Sequence, residues 1–482
     1  MDIFNLTALE LSNLIHKGEL NAVEVTLRTI ERVEELNREF NFLITLDKEY
    51  AIAQAKKVDD DLKSGKLTSL LAGVPIVVKD NICTKGIKTT AASKMLSDFV
   101  PCYDANVVKK LKEAGIIVIG KANMDEFAMG STGETSFFGA VKNPRNKNKA
   151  AGGSSSGCAA AVASSAVFAA IGSDTGGSVR QPASHCGVVG FKPTYGRVSR
   201  YGLIAYASSL DQIGPICKDI DDTAAFMKIL SGSDCLDGTS LNEMFDYSSA
   251  NNEPDFTKIK IAVPSLAYSE YVDGSVLETL EKTQNHLQTL GATVEKVDCD
   301  ILRYAVAAYY IIATAEASSN LSRYDGIKYG YRTEDADSLS EIYKKSRSEG
   351  FGFETKKRIL LGTFALSSGY YDAYYNKALK VKKLISEKLQ EIFSRYDAIL
   401  LPTSPITAPL IGESLNDPIK MYLSDIFTVT ANLAGLPAIS IPMGCDVEQM
   451  PIGIQLMADK LEDEKLLSVG KALYHLRGGA ER

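Results

Sequence analysis

The stretch "AGVPIVVKDN", residues 72–81, is a short β-branched run with glycine and proline in front of it and asparagine behind it. Such a run is typical of a buried strand. Residues 104–115, "DANVVKKLKEAG", predict a helix that ends at Gly115, and residues 116–124, "IIVIGKANM", predict a second buried strand. The alternation of strand, helix and strand predicts an α/β fold.

Helices and strands are also predicted on both sides of this stretch. Residues 7–10, "TALE", have the form of a capping box, and residues 21–37 repeat apolar residues at helical spacing, so a helical segment is expected over about 1–65. The polar, turn-rich segment 231–258 predicts a long surface loop. Further strands are predicted at 258–264, 292–298, 398–405, 438–444 and 451–458, and further helices at 274–291 and about 371–394.

Composition and charge favour an ordinary soluble globular protein. The 482 residues are 45% hydrophobic and 23% charged, and the net charge of −7 comes with no long basic run. This disfavours autonomous nucleic-acid binding but leaves room for a partner that supplies it. The N-terminus lacks a signal-peptide core, and no apolar run approaches the roughly 20 residues of a membrane span. We therefore expect a cytoplasmic protein.

Cysteine and histidine limit the possible chemistry. None of the eight cysteines forms a C-x-x-C pair, which predicts buried free thiols rather than a zinc or redox site. Only four histidines occur, although a Ser-His-Asp hydrolase needs one beside its serine. His185, in "RQPASHCGVVG", is nearest to the glycine-rich segments, and we expect it to be packed or hydrogen-bonded rather than catalytic. The other three lie in charge-rich helical patterns and are expected to be solvated: His16, His286 and His475.

Residues 151–165, "AGGSSSGCAAAVASS", could form a linker, a phosphate-binding loop or a loop that presents a reactive serine. Gly152 and Gly157 have P-loop spacing, but Cys158 follows where the P-loop requires lysine. A linker is disfavoured because the following alanine-rich run must be buried. The segment therefore predicts a tight turn at 154–157 that leads into a buried helix.

A second glycine-rich segment follows at residues 172–182, "GSDTGGSVRQP". Gly176 and Gly177 lack Cβ atoms, so their amides can approach a ligand closely, and successive amides of such a turn can bind an oxyanion. Ser178 follows directly. An ordinary polar turn is the alternative interpretation of this segment.

Lys79 closes the apolar run of residues 74–78. Burial of a charged lysine is costly and lowers its pKa, and a neutral lysine can act as a general base. Taken alone, the strand favours the alternative of a strand-end lysine that reaches solvent. Taken together, the segments offer a serine nucleophile, a bridging serine and a lysine base without any histidine.

The segments "AGVPIVVKDN", "GGSSSG" and "GSDTGGSVRQPASHCGVVGFKPTYGRVSRYGL" resemble the amidase signature family, over nearly the whole chain. The resemblance implies a Ser-cisSer-Lys triad in which Ser178 is the acyl-ester nucleophile, Ser154 the cis-serine of the charge relay, and Lys79 the relay lysine and base. The implied oxyanion hole is formed by backbone groups of Thr175, Gly176, Gly177 and Ser178.

The resemblance also implies a fold and a domain organisation. The fold is an α/β amidase signature fold, with a large mixed β-sheet flanked by helices on both sides. Residues 1–482 would form a single amidase domain, with a signature core at about 66–230 and a substrate-pocket region at about 259–482. Two departures occur near the core: Ser156 and Cys158 stand where the family usually has glycine and serine, and "MGSTGE" differs slightly from the family's "MGSSTE".

Residues 192–216, "KPTYGRVSRYGLIAYASSLDQIGPI", are similar to one branch of this family, the A subunits of glutamyl-tRNA(Gln)/aspartyl-tRNA(Asn) amidotransferases. This similarity implies a glutamine-hydrolysing glutaminyl-tRNA synthase, to which this chain contributes the glutaminase. Glutamine would bind to Arg358, Asp425 and the tyrosines of "AAYYII", Tyr309 in particular. The implied partners are a B subunit, which uses ATP and Mg²⁺ and binds the misacylated tRNA, and a small C subunit, in a heterotrimer. The chain itself would hold no cofactor and no metal.

Two other functions remain open at this stage. One is a stand-alone amidase that acts on another amide, with a pocket formed by the region from residue 300 onward. The other is an inactive scaffold subunit that only binds partners, against which the intact Lys79, Ser154 and Ser178 argue.

Overall fold

The computed structural model describes residues 2–476, apart from the side chains of residues 415, 416 and 418–420. Its centre is an eleven-stranded sheet with the strand order β1-β3-β2-β6-β8-β7-β12-β13-β11-β9-β10, and β4 and β5 form a separate two-stranded ribbon. The strands are β1 Leu43–Leu46, β2 Pro75–Lys79, β3 Ile117–Ala122, β4 Lys142–Asn143, β5 Asn146–Ala150, β6 Ala169–Asp174, β7 Val189–Lys192, β8 Gln212–Cys217, β9 Lys260–Pro264, β10 Thr293–Val297, β11 Ala398–Pro402, β12 Ala438–Cys445 and β13 Pro451–Met457.

Most helices lie in the connections between these strands, while two precede β1 and one follows β13. They are α1 Ala8–His16, α2 Ala22–Phe40, α3 Lys48–Lys63, α4 Asn106–Glu113, α5 Ser156–Ala163, α6 Arg180–Cys186, α7 Ile220–Leu230, α8 Tyr247–Ala250, α9 Gly274–Thr289, α10 Ala305–Asn320, α11 Leu339–Gly350, α12 Phe353–Ala365, α13 Lys377–Phe393, α14 Glu413–Asn416, α15 Pro418–Leu423, α16 Val429–Ala434 and α17 Asp463–Leu476. Among the described residues, no helix is both long and apolar enough to span a bilayer.

The sheet is mixed, as the sequence predicts. β2 pairs in parallel with both β3 and β6, and β9 pairs in parallel with both β10 and β11. The pairs between β6, β8, β7, β12, β13 and β11 are antiparallel. Because neighbouring parallel strands point the same way, the carboxyl ends of β2 and β6 lie at the same edge of the sheet.

Both faces of the sheet are covered by helices because successive side chains of a strand point to opposite faces. In β2, Ile76 and Val78 belong to one hydrophobic core, whereas Val77 belongs to the other. The first core includes residues of α1, α4 and α7, and the second includes residues of α2, α3 and α5. This arrangement confirms the predicted sheet flanked on both sides.

Most predicted elements occur with shifts of a few residues. The capping box is formed, since Thr7 accepts from the backbone of Glu10 and Glu10 accepts from that of Thr7. The helix predicted at about 371–394 begins with a π-helical turn at Tyr371–Asn376. The predicted surface loop 231–258 is mostly irregular but contains α8, whose N-terminus is capped by Asp246.

Of two further expectations, on domain division and on cysteine burial, the first stays a prediction and the second is wrong. The single-domain division stays a prediction, although the first segment contributes β1 to the edge of the common sheet. The expectation that all cysteines are buried is wrong, because surface segments carry three of them. The exposed thiols are Cys102, Cys235 and Cys445, and the eight cysteines are all free.

Candidate active site

Three connections bring the predicted triad to one edge of the sheet. Lys79 is the last residue of β2, and Ser178 lies in the turn between β6 and α6. Ser154 precedes α5, and the Ser155 amide donates to the Ser178 carbonyl at 3.0 Å. The glycine-serine segment is therefore a tight turn into a helix that is buried up to its last residue, as predicted.

Lys79 is fully buried, so the alternative of a lysine that reaches solvent is wrong. Its Nζ lies 2.7 Å from Ser154 Oγ, 3.0 Å from Ser173 Oγ and 3.1 Å from the Ser173 carbonyl oxygen. A neutral amine has two N–H donors and one lone pair. Two bonds to Ser173 would therefore leave the lone pair for the Ser154 hydroxyl.

Burial makes the neutral amine more accessible than in an ordinary lysine. Burial lowers the pKa of Lys79 to about 8, even though Asp125, Asp174 and Asp211 act in the opposite direction. The ammonium form still predominates at pH 7, but the uncharged fraction is much larger than for an ordinary lysine and can serve as a general base.

Ser154 is fixed by its backbone. The Gly153–Ser154 peptide is cis. The Gly153 amide donates to Gln181 Oε1 at 2.9 Å, and the Ser154 carbonyl accepts from the Asp125 amide at 3.2 Å. Ser154 is fully buried, which isolates the Lys79–Ser154 pair from water.

Ser178 is the most open member of the three, with 8% of its surface exposed. Its Oγ makes no hydrogen bond within the described part of the chain. Thus the Lys79–Ser154 half of the relay is formed, whereas the Ser178–Ser154 half is not. Catalytic hydrogen bonds of this kind often tighten only when substrate binds.

The turn before Ser178 presents backbone amides. Gly177 has a φ of +126°, which glycine tolerates best, and its amide donates to Asp174 Oδ1 at 2.8 Å. The Gly177 amide is thereby engaged within the protein. The amides of Thr175, Gly176 and Ser178 have no acceptor among residues 2–476, which leaves three donors for an oxyanion.

A buried ion pair holds this turn from behind. Arg180 donates through Nε to Asp174 Oδ2 at 3.0 Å and through Nη2 to Asp174 Oδ1 at 2.9 Å, and both side chains are fully buried. Burial alone would raise the pKa of Asp174, but the Arg180 guanidinium holds it well below its usual range. This pair was not predicted, although two opposite charges flank the proposed nucleophile four residues before it and two residues after it.

The residues predicted to bind glutamine lie together beside the turn of residues 175–178. The Tyr309 ring packs so closely on Gly176 that a Cβ there would lie 2.4 Å from Tyr309 Cζ. The Asp425 carboxylate accepts from Tyr310 at 2.7 Å, and the Tyr310 ring lies 5.2 Å from the Arg358 guanidinium carbon. Tyr310 belongs with Tyr309 to the tyrosines of "AAYYII" that the sequence offered as ligand partners, but its contact with Asp425, across 115 residues, could not be predicted.

Arg358 and Asp425, the two charged residues of this cluster, can each still bind a ligand group. Arg358 is buried and donates through Nε to Glu354 at 2.9 Å and through Nη1 to Tyr206 at 2.9 Å. Its Nη2 has no hydrogen-bond partner in the described residues. Burial raises the pKa of Asp425 to about 6, while hydrogen bonds from Tyr310 and Ser131 act against the rise. An additional cation would therefore be stabilised beside Asp425.

Two remaining candidates lie outside this chemistry. His185 is buried in α6, and burial lowers its pKa to about 4, so it is a packed neutral side chain as expected. Cys158 is buried with Sγ 3.6 Å from the Ile171 carbonyl oxygen, and burial raises the pKa of its thiol to about 12. Within the described residues, no group of three or more His, Cys, Asp or Glu could hold a metal ion.

Comparison with known proteins identifies the family. The family model Amidase matches residues 24–467. The A subunit of glutamyl-tRNA(Gln) amidotransferase from Lachnospira eligens is 54% identical over 482 residues, which is 100% of each chain. The crystal structure of the corresponding A subunit from Thermotoga maritima is 44% identical with a TM-score of 0.81, covering 98% of this chain and 95% of that one. A peptide amidase from Stenotrophomonas maltophilia is 26% identical with a TM-score of 0.83, covering 98% and 97%. The chain belongs to the amidase family.

Proposed function

We propose that this chain is the glutaminase subunit of a tRNA-dependent amidotransferase. It hydrolyses glutamine to glutamate and ammonia, and a partner subunit uses the ammonia to convert misacylated Glu-tRNA(Gln) to Gln-tRNA(Gln). The observation that carries the proposal is the buried contact of 2.7 Å between Lys79 and Ser154. The 54% identity to the A subunit of a glutamyl-tRNA(Gln) amidotransferase, over the full length of both chains, supports the choice of reaction.

In the proposed mechanism, Ser178 Oγ attacks the side-chain amide carbon of glutamine. Its proton passes to Ser154, whose own proton passes to the lone pair of Lys79. When the C–N bond breaks, the proton returns along the same path to the leaving ammonia. Water then attacks the glutamyl ester on Ser178, Lys79 takes up the water's proton through Ser154, and the proton passes back to Ser178 Oγ as the ester bond breaks and glutamate is released.

The negative charge that develops on the amide oxygen would be stabilised by backbone amides. Thr175, Gly176 and Ser178 have the amides that remain free, since the Gly177 amide donates to Asp174. An important oxyanion donor contributes roughly 3–4 kcal/mol to transition-state stabilisation.

The amino-acid end of glutamine would bind to two opposite charges. The free Nη2 of Arg358 suits the α-carboxylate, because guanidinium groups bind carboxylates with strong charge-assisted hydrogen bonds. Asp425, whose pKa of about 6 leaves it mostly ionised at neutral pH, suits the α-ammonium group. The Tyr309 hydroxyl would contribute a further hydrogen bond to the ligand.

The remaining steps would belong to partner subunits. A B subunit would bind the misacylated tRNA and use ATP and Mg²⁺ to activate its carboxylate, and a C subunit would complete a cytoplasmic heterotrimer. The similar proteins are A subunits of glutamyl-tRNA(Gln) amidotransferases, which supports a multi-subunit assembly.

A stand-alone amidase is a second candidate, favoured by the structural likeness to a peptide amidase. Co-purification with native partners, followed by a glutaminase assay with and without ATP and misacylated tRNA, distinguishes the two. We expect glutamate release that increases when both are present. Two results would favour the stand-alone amidase. One is glutamine hydrolysis by the isolated chain at a rate that does not change when ATP and misacylated tRNA are added. The other is hydrolysis of other amides without hydrolysis of glutamine.

Substitutions in the pocket test the substrate. Arg358→Ala and Asp425→Ala should each raise the KM for glutamine roughly ten- to hundredfold, since each removes a charged hydrogen-bond partner. Ammonium-dependent transamidation by the same complexes should be unchanged. The exposed Arg395 and Asp335 provide matched controls as Ala variants. An unchanged KM for glutamine would remove that residue from the proposed pocket.

A further inference from the structure

Tyr206 is a buried tyrosine that the proposed mechanism does not use. It lies between β7 and β8 with only 1% of its surface exposed. Its hydroxyl oxygen accepts the hydrogen bond of 2.9 Å from Arg358 Nη1, across 152 residues of sequence. The tyrosine thus joins the loop after β7 to helix α12, which carries the proposed carboxylate ligand.

The Tyr206 hydroxyl gives the Arg358 guanidinium a hydrogen-bond acceptor outside its own helix, beside the ring of Tyr310 at 5.2 Å. Glu354 holds Nε at 2.9 Å, but it lies one turn earlier on the same helix and moves with Arg358. Tyr206 is the acceptor that belongs to another part of the fold. With Nε and Nη1 occupied, Nη2 is the nitrogen left without a partner among the described residues.

The backbone of Tyr206 is tied to the turn that precedes Ser178. The amides of Tyr206 and Ala207 donate to the Asp211 carboxylate at 3.0 Å and 3.1 Å. The same carboxylate accepts from Thr175 Oγ1 at 2.7 Å. Asp211 therefore sets the position of Tyr206 relative to Thr175, whose amide is one of the free donors of the turn.

The ionisation state of Tyr206 suits this role. Burial raises the pKa of its hydroxyl, although Arg358 and a hydrogen bond with Tyr309 act in the opposite direction. The neutral hydroxyl can accept from Arg358 and keeps its own proton as a donor.

We propose that Tyr206 is a positioning residue for substrate binding: its hydroxyl holds the Arg358 guanidinium at a set distance from the Thr175–Ser178 turn, with Nη2 presented to the α-carboxylate of an amino-acid amide. The inference rests on the proposed glutaminase function. Without this hydrogen bond, the guanidinium would keep only Glu354 and its ring contacts, would populate other rotamers and would bind the carboxylate less well.

Tyr206→Phe tests the proposal, because it removes the hydroxyl and keeps the ring. In the purified complex, we expect the KM for glutamine to rise about tenfold while kcat changes less than twofold. Tyr201→Phe is the matched control, since Tyr201 belongs to the same loop and its ring contacts Tyr103 instead, with centroids 5.4 Å apart. It should leave both constants unchanged.

A double-substitution cycle shows whether Tyr206 acts through Arg358. Adding Tyr206→Phe to Arg358→Ala should produce no further rise in KM, because the group that it positions is gone. An unchanged KM in a folded Tyr206→Phe protein, or an equal rise in the presence and absence of Arg358, overturns the inference. If the wild-type complex releases no glutamate from glutamine, or Arg358→Ala leaves its KM unchanged, the proposed function fails instead.

Discussion

At the scale of single residues, substitution of Ser178 should separate glutamine hydrolysis from the tRNA chemistry of the partner subunit. Ser178→Ala removes the proposed nucleophile but does not alter a partner's site. We therefore expect loss of glutamine hydrolysis by at least a thousandfold, with ammonium-dependent formation of Gln-tRNA(Gln) retained. Glutamate release from glutamine, measured beside the ammonium-supported reaction, checks both halves. Glutamate release near the wild-type rate would remove Ser178 from the nucleophile's role.

Lys79 supplies a prediction for pH dependence. Burial lowers its pKa from 10.5 to about 8, so the neutral base becomes more abundant as pH rises towards 8. The glutaminase kcat should accordingly rise about tenfold per pH unit well below 8 and level off above it. A pH profile of kcat between pH 6 and 9 measures this, and a profile that falls with rising pH would contradict the role of Lys79.

The same residue can be tested by substitution. Lys79→Arg should be nearly inactive, because guanidinium does not deprotonate in proteins. Lys85→Arg, at an exposed position six residues later, is the control and should keep full activity. Substantial glutaminase activity in a folded Lys79→Arg protein would show that the lysine serves as a fixed charge rather than as a base.

At the scale of elements, Glu126 attaches helix α12 to the core that carries the proposed triad. Its buried carboxylate accepts from the amide of Gly352, the N-cap of the helix that carries Arg358, at 2.8 Å and from Thr355 Oγ1 in the first turn of that helix at 2.6 Å. Burial raises the pKa of Glu126, and these donors oppose the rise. The orientation of Arg358 thus depends on a residue far from the pocket in sequence.

Glu126→Ala should lower the free energy of unfolding by about 1–3 kcal/mol, because it leaves buried donors without acceptors. It should also raise the KM for glutamine, since α12 loses its anchor. Glu126→Gln keeps one acceptor oxygen and should recover part of both losses. Urea denaturation and steady-state kinetics measure the two effects, with Glu278→Ala on the exposed face of α9 as the control. Equal behaviour of the Glu126→Ala and Glu278→Ala proteins would contradict the anchoring role.

At the scale of the whole molecule, Arg180 connects the sheet with segments late in the chain. Besides Asp174, its guanidinium donates to the Thr428 carbonyl at 3.0 Å and to Asn432 Oδ1 at 2.7 Å. Arg180→Met would leave the Asp174 carboxylate buried and uncompensated, and should cost about 3–5 kcal/mol of unfolding free energy. Adding Asp174→Asn should recover part of that loss. Urea unfolding of the single and double variants checks this, and a single variant as stable as the wild type would contradict it.

Local patterns in the sequence determined the α/β class, the positions of β2, α4 and β3, and the tight turn before α5. They could do so because propensity, capping and alternation act over a few neighbouring residues. The candidate residues Tyr309, Arg358 and Asp425 came from the family resemblance, since an isolated arginine or aspartate has no local signature.

Tertiary structure alone decided which of these side chains are buried and what they contact. The β2 pattern favoured a lysine that reaches solvent, yet packing on both faces of the sheet encloses Lys79 completely. The Gly177 amide turns to Asp174 rather than outward, and Tyr206 meets Arg358 across 152 residues. Such contacts depend on how distant segments pack together, and the energy of a buried charge depends on everything that surrounds it, so no window of sequence contains them.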